Sequence, residues 1–208
     1  MLGGGVNGEQ WGIVSAKVPH LQARGVGKMG EDEVIAATRE WLEKAVIGLN
    51  LCPFAKAVYV KNQVRFVVST AKHLDGWLED LDRELDFLVA ADPEITETTL
   101  LIHPTLLPDF LDFNDFMQLA EAAVAEHELE GVIQIASFHP QFQFEGTAPD
   151  DIGNFTNRAP FPTLHLLREA SIERAVAAFP EAETIYQRNI ETLEALGHAG
   201  WQALWRKL

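Results

Sequence analysis

From Glu31 onward, apolar positions recur with helical spacing. Val34, Ala37, Trp41, Ala45 and Leu49 fall every three or four residues and predict an amphipathic helix over 31–50. Pro53 ends it, because proline lacks the amide donor and restricts Cys52 before it. The stretch "QVRFVVS" (63–69) is short and β-branched, which predicts a strand. Leu74, Trp77, Leu78, Leu81, Leu85 and Leu88 then mark a helix over 73–91, closed by Asp92-Pro93. "TTLLIHP" reads as a second strand ending at His103. A third helix follows over 108–128, with Asp109 and Asp112 suited to its positive N-terminal end. "GVIQIASFHP" is a third strand, ending at His139. Beyond a long loop, helices are expected over 163–178 and 181–197, followed by the short apolar end "GWQALWRKL".

Alternating strands and helices of these lengths indicate an α/β fold. The expected sheet is small, parallel or mixed, with three to four strands, helices packed on it and C-terminal helices after it. Residues 1–30 are glycine-rich without a sustained period and read as a flexible N-terminal arm, leaving 31–208 as a single α/β domain. No repeat of fixed period and no low-complexity segment stands out. The 208 residues carry a formal net charge of -15, which argues against nucleic acid or an anionic membrane as partner, since both need a cationic face. The expected partner is a small molecule. One cysteine excludes an intramolecular disulfide. No secretory signal and no apolar run of roughly 18–20 residues is present, so a cytoplasmic location is expected.

Two strands end in the same dipeptide, His103-Pro104 and His139-Pro140. Ligands of open α/β sheets bind outside the carboxyl ends of strands, which would place both imidazoles at one rim. Each histidine alone reads as a strand-end cap bonded to a backbone carbonyl. The pair favours a site, because the Ser137–Pro162 loop starting there is too long for a plain connection and carries Asp151, Asn154, Asn157 and Arg158. Phe144, Phe155 and Phe161 are expected to anchor that loop. In this reading His103 or His139 is a general acid/base, since an imidazole with pKa about 6.5 transfers protons both ways. Cys52 is a candidate nucleophile, but with no helix N-terminus after it to lower its pKa it packs inertly unless a histidine approaches. In "LHLLREAS", His165, Arg168 and Glu169 would share one side of a helix, and Arg158 with Arg168 would orient an anionic ligand. A second reading gives His103, His139 and His165, with Cys52, Asp151 or Glu169, to a metal ion, although no short ligand pair supports it. A third makes the domain a non-catalytic binder. No phosphate loop, nucleophile elbow or dinucleotide fingerprint occurs, and the sequence leaves any cofactor unknown.

The segments "WLEKAVIGLNLCPFAKAV", "TTLLIHP", "DFNDF" and "ASFHP…FEGTAPDDIGNFTNRAPFPTLHLLREASIERA" resemble the bacterial family known as domain of unknown function 1415, over roughly residues 31–205. The resemblance implies that Asn50–Ala55, Leu101–Pro104, Ala136–Pro140 and Asp150–Arg158 are signature segments. It does not choose between catalysis and binding.

Overall fold

The computed structural model describes residues 29–178 and 184–205. The arm expected over 1–30 lies outside them, apart from its last two positions. Helix α1 (Glu31–Trp41) opens with the Glu33 carboxylate accepting the Gly30 amide, then widens into a π-helical turn over Leu42–Ile47. There the Gly48 amide reaches the Glu43 carbonyl and the Leu51 amide reaches Val46, each at 2.9 Å and five residues back. Glycine is required at 48, because a Cβ would sit 2.3 Å from the Lys44 carbonyl oxygen. Asn50 then takes a left-handed φ of 54° and turns the chain back. A short helix α2 (Ala55–Val60) follows Cys52, where the sequence reading expects none.

The sheet holds β1 (Val64–Val68), β2 (Thr98–Ile102), β3 (Ile133–Phe138) and β4 (Thr163–Arg168) in the order β1-β2-β4-β3. β1 and β2 are parallel, while β4 runs antiparallel between β2 and β3. Ile102 and Phe138 both face Thr163, so β2 and β3 run the same way and end at the same sheet edge. Helices α3 (Leu74–Ala90) and α4 (Phe110–Glu126) cover one face through Trp77, Leu81, Leu85, Leu88 and Phe113 against Leu101, Leu164 and Leu166. α1 and α6 (Ile185–Leu204) serve the other face, with clusters around Trp41, Leu193 and Trp201 and around Val34, Leu100 and Ile102. Each fully buried large side chain contributes about 1.5–3 kcal/mol. No helix among the described residues is long and apolar enough to cross a membrane.

Three expectations are corrected. Residues 163–168 form a strand, and only Glu169–Ala178 are helical, as α5. The alternation Leu164/Leu166 against His165/Leu167 has a period of two, and the slot between β2 and β3, where Thr163, Leu164 and Leu166 are buried, selects the strand over the helix. The last helix, Ile185–Leu204, runs past the expected end at 197 and takes in Gly200–Leu204 of the expected apolar tail, with a kink at Gly197 (φ 63°); the expected start at 181 lies outside the described residues.

The third correction is a repeat. α3 and α4 are both 17 residues long and begin 36 positions apart, and the same shift carries Trp77 onto Phe113, His103 onto His139 and Pro104 onto Pro140. The two units share few residue types outside these positions, so only three-dimensional superposition of their roles exposes the period.

Candidate functional site

Each His-Pro corner is bonded in the same way. His103 Nε2 lies 3.0 Å from the Ala71 carbonyl, and its Nδ1 accepts the amides of Thr105 (3.2 Å) and Leu106 (2.9 Å). His139 Nε2 lies 3.0 Å from the Leu107 carbonyl, and its Nδ1 accepts the Gln141 amide at 3.0 Å. In both, the acceptor carbonyl is 32 residues upstream. A carbonyl at Nε2 needs the proton there, and amides at Nδ1 need the lone pair, so both rings are fixed as the neutral Nε2–H tautomer. Burial pushes His103 below its ordinary pKa, against the pull of the Ala71 bond. Burial pushes His139 down to about 4; the Leu107 bond and Asp109 oppose that shift and Arg158 adds to it. The two histidines reach the same edge, yet neither has a ring nitrogen left for a substrate proton or a metal.

The polar groups of the long loop are likewise engaged with the loop itself. Asn154 is fully buried; its Oδ1 accepts the Phe144 amide and its Nδ2 donates to the Ala148 carbonyl, each at 2.9 Å. Asp151 is exposed and caps the 3-10 turn Ile152–Thr156 through the Gly153 amide. Arg158 donates from Nε to Phe142 O (3.1 Å) and from Nη2 to Pro149 O (2.5 Å), with its guanidinium 4.1 Å over the Phe155 ring. Phe161 is buried in the cluster with Leu100 and Ile102, and Phe155 packs edge-on to Trp201.

The expected His165–Arg168–Glu169 helix face does not exist, because the first two residues belong to β4. His165 Nε2 is 2.8 Å from Thr98 Oγ1, whose own proton goes to the Leu166 carbonyl at 2.6 Å. His165 is half-buried by area, yet its ring is enclosed closely enough that lost solvation pulls it down to about 4. Arg168 leaves the far end of β4 and gives its Nη2 to the carbonyls of Leu88, Ala91 and Thr96, where it ties off the end of α3. Glu169 opens α5, its amide bonded to the Val132 carbonyl. Among the described residues no three His, Cys, Asp or Glu side chains converge to hold a metal ion.

A cleft of about 420 Å³ lies beside the carboxyl end of β3. The π-helical turn and the segment after it contribute Val46, Leu51 and Cys52; β3 gives Phe138, the 3-10 turn gives Thr156 and Asn157, and α6 gives Ile185, Tyr186 and Asn189. Of the residues singled out by sequence, it brings together Cys52 and Asn157. The widened turn presents Cys52 here, and π-helical turns of this kind recur at functional sites. Asn157 is held by its carbonyl, which accepts the His139 amide at 3.2 Å, and by its Nδ2, which donates to Ser137 O at 3.4 Å. Asn189 Nδ2 donates to Leu51 O at 2.8 Å, pinning α6 to the cysteine segment.

A family model described as "Protein of unknown function (DUF1415)" matches residues 33–203. The chain belongs to this family. Comparison with the curated proteins and with the solved structures gives no match. The DUF1415 match spans both His-Pro corners and every cleft residue, so corner and cleft alike lie within the family's domain. Thr156, Tyr186 and Asn189 escaped the sequence reading; their only signal was position beside the Asp150–Arg158 segment and at the start of the last helix.

Proposed function

We propose that this domain binds a small uncharged molecule in the cleft beside Cys52. One observation carries the reading: among the described residues the lining contains no Asp, Glu, Lys, Arg or His. Bringing an ion into a half-enclosed site without a counter-charge costs several kcal/mol, so the cleft disfavours the anionic ligand expected from sequence. Neutral donors and acceptors come from Thr156, Asn157, Tyr186 and Asn189, while Val46, Leu51, Phe138 and Ile185 offer apolar contact. The size lies in the range of small-ligand pockets, roughly 300–1,000 Å³.

Among the described residues the lining offers Cys52 neither a base to take its proton nor a cation to hold a thiolate, which favours binding over His-assisted nucleophilic catalysis. The test uses two molecules of one shape and different charge. Benzamide at millimolar concentration is expected to move the Asn157 and Asn189 side-chain amide resonances and to slow alkylation of Cys52 by iodoacetamide, whereas benzoate does neither. Benzoate acting as strongly as benzamide overturns the uncharged-ligand reading.

A further inference from the structure

Among the described residues β1 is an end strand that pairs only with β2. In a parallel pair, one residue turns both its N–H and its C=O to the neighbouring strand and the next turns both away. The Ser69 amide donates to Ile102 O at 2.8 Å, and Gln63 O accepts the amides of Glu97 and Thr98. Arg65 and Val67 share that parity and bond to β2. Val64, Phe66 and Val68 therefore direct their backbone groups off the sheet, and among the described residues no backbone hydrogen bond outside the sheet reaches them.

Three of the devices that blunt such an edge, proline, lysine and a bulge, are missing. "VRFVV" has no proline and no lysine, and its register with β2 runs without a bulge. Its one charge is held on the sheet face by α3 and does not reach across the edge: Arg65 forms a forked pair with Glu84 at 2.7 and 2.9 Å and lies 4.2 Å over the Phe87 ring. All five β2 residues are buried, whereas all five of β1 stay half-buried even with α1 packed against that strand.

We propose that this edge pairs with β1 of a second copy of the chain, antiparallel about a two-fold axis at Phe66. In that register Val64 faces Val68 of the second copy, and Phe66 faces its own equivalent. The three outward-facing residues then meet three outward-facing residues, each pair exchanging both bonds. Arg65 falls opposite a valine, so no like charges face directly. An arbitrary extended peptide would satisfy the backbone, but the order Val-x-Phe-x-Val reads the same in both directions, which is what a copy related by two-fold symmetry requires.

The full chain is examined by sedimentation velocity over a concentration series and by amide hydrogen exchange at the two ends of that series. The expected result is a dimer in which the Val64, Phe66 and Val68 amides lose at least about tenfold protection on dilution. The Arg65 and Val67 amides, held by β2, keep theirs. Val64→Pro removes one outward donor per copy and is expected to weaken the dimer about tenfold, while Val64→Ala stays within about threefold of the parent. A chain that stays monomeric to millimolar concentration overturns the proposal. So does a dimer in which those three amides exchange as fast as in dilute solution, and this readout on the parent protein decides the matter even if the proline variant fails to fold.

Discussion

The two His-Pro corners are the same device put to different ends. At the first, His103 packs edge-on to Trp77 with ring centres 5.1 Å apart; at the second, His139 stacks on Phe113 at 5.1 Å. Past Pro104 the chain reaches Asp109, the cap of α4, almost at once. Past Pro140 it runs on to Thr163 and on the way supplies Thr156 and Asn157 to the cleft. What the units share is therefore a way of ending a strand and starting the next segment. What they do not share is where a ligand could sit. The histidines drew attention because histidine is the usual agent of proton transfer, yet their occurrence in both corners marks them as part of the folding unit.

The largest effect is expected from removing a corner. His103→Ala and His139→Ala each leave a buried hole, an orphaned carbonyl and one or two orphaned amides, at a cost of about 3–5 kcal/mol measured by urea unfolding. If one variant lost nearly nothing while the other lost this much, the equivalence of the corners would be broken.

The next effect is a pH dependence carried by His139. Its folded pKa of about 4 lies below its unfolded value of about 6.5, so the folded state binds fewer protons between them. Its contribution is complete above about pH 6.5 and disappears as pH falls through 4, a change of about 3 kcal/mol. The difference in stability between parent and His139→Asn from pH 7.5 to 4.5 isolates it from the carboxylates; His103 should act in the same direction.

Arg158→Ala comes third, at about 1–3 kcal/mol, because it strips two carbonyls of their donor and uncovers Phe155. Sequence alone suggested that this variant would lose ligand and keep its stability; thermal unfolding distinguishes the two outcomes. The smallest change sharpens the comparison of corners directly. The Trp77 indole N–H has no acceptor among the described residues, whereas Phe113 has no such group to satisfy. Trp77→Phe makes the first corner resemble the second, trading a small void for a relieved donor, and its unfolding free energy in urea should change by no more than about 1 kcal/mol.

The helices over residues 31–41, 74–90 and 110–126 were legible because their buried faces repeat at helical spacing, and β1 to β3 because they are short, apolar and bounded by turn residues. β4 was not, because Leu164, Leu166 and Leu167 fit both periods and only the vacancy between β2 and β3 decides between them. The loop was legible as an ordered, polar segment, but the partners of Asn154 and Arg158 were not, and Asp151 is exposed. Arg158 bonded to carbonyls and Arg158 bonded to a ligand look the same in one dimension. The cleft was half visible through Cys52 and Asn157. Its other polar wall sits at the start of α6, where Tyr186 and Asn189 are separated by more than a hundred residues from Cys52 and no local pattern links them.

β4 is made last but sits between strands made earlier. When residues up to Pro162 have left the ribosome, β1 and β2 can pair and α3 and α4 can form, but β2 and β3 have no backbone bond to each other. Assembly of the sheet then waits for six residues that must enter a slot between two preformed edges, with Leu164 and Leu166 completing the layer beneath α3 and α4. Until that insertion, the facing edges of β2 and β3 stay unpaired above an unfilled apolar floor, the state in which pairing with a neighbouring chain competes with folding.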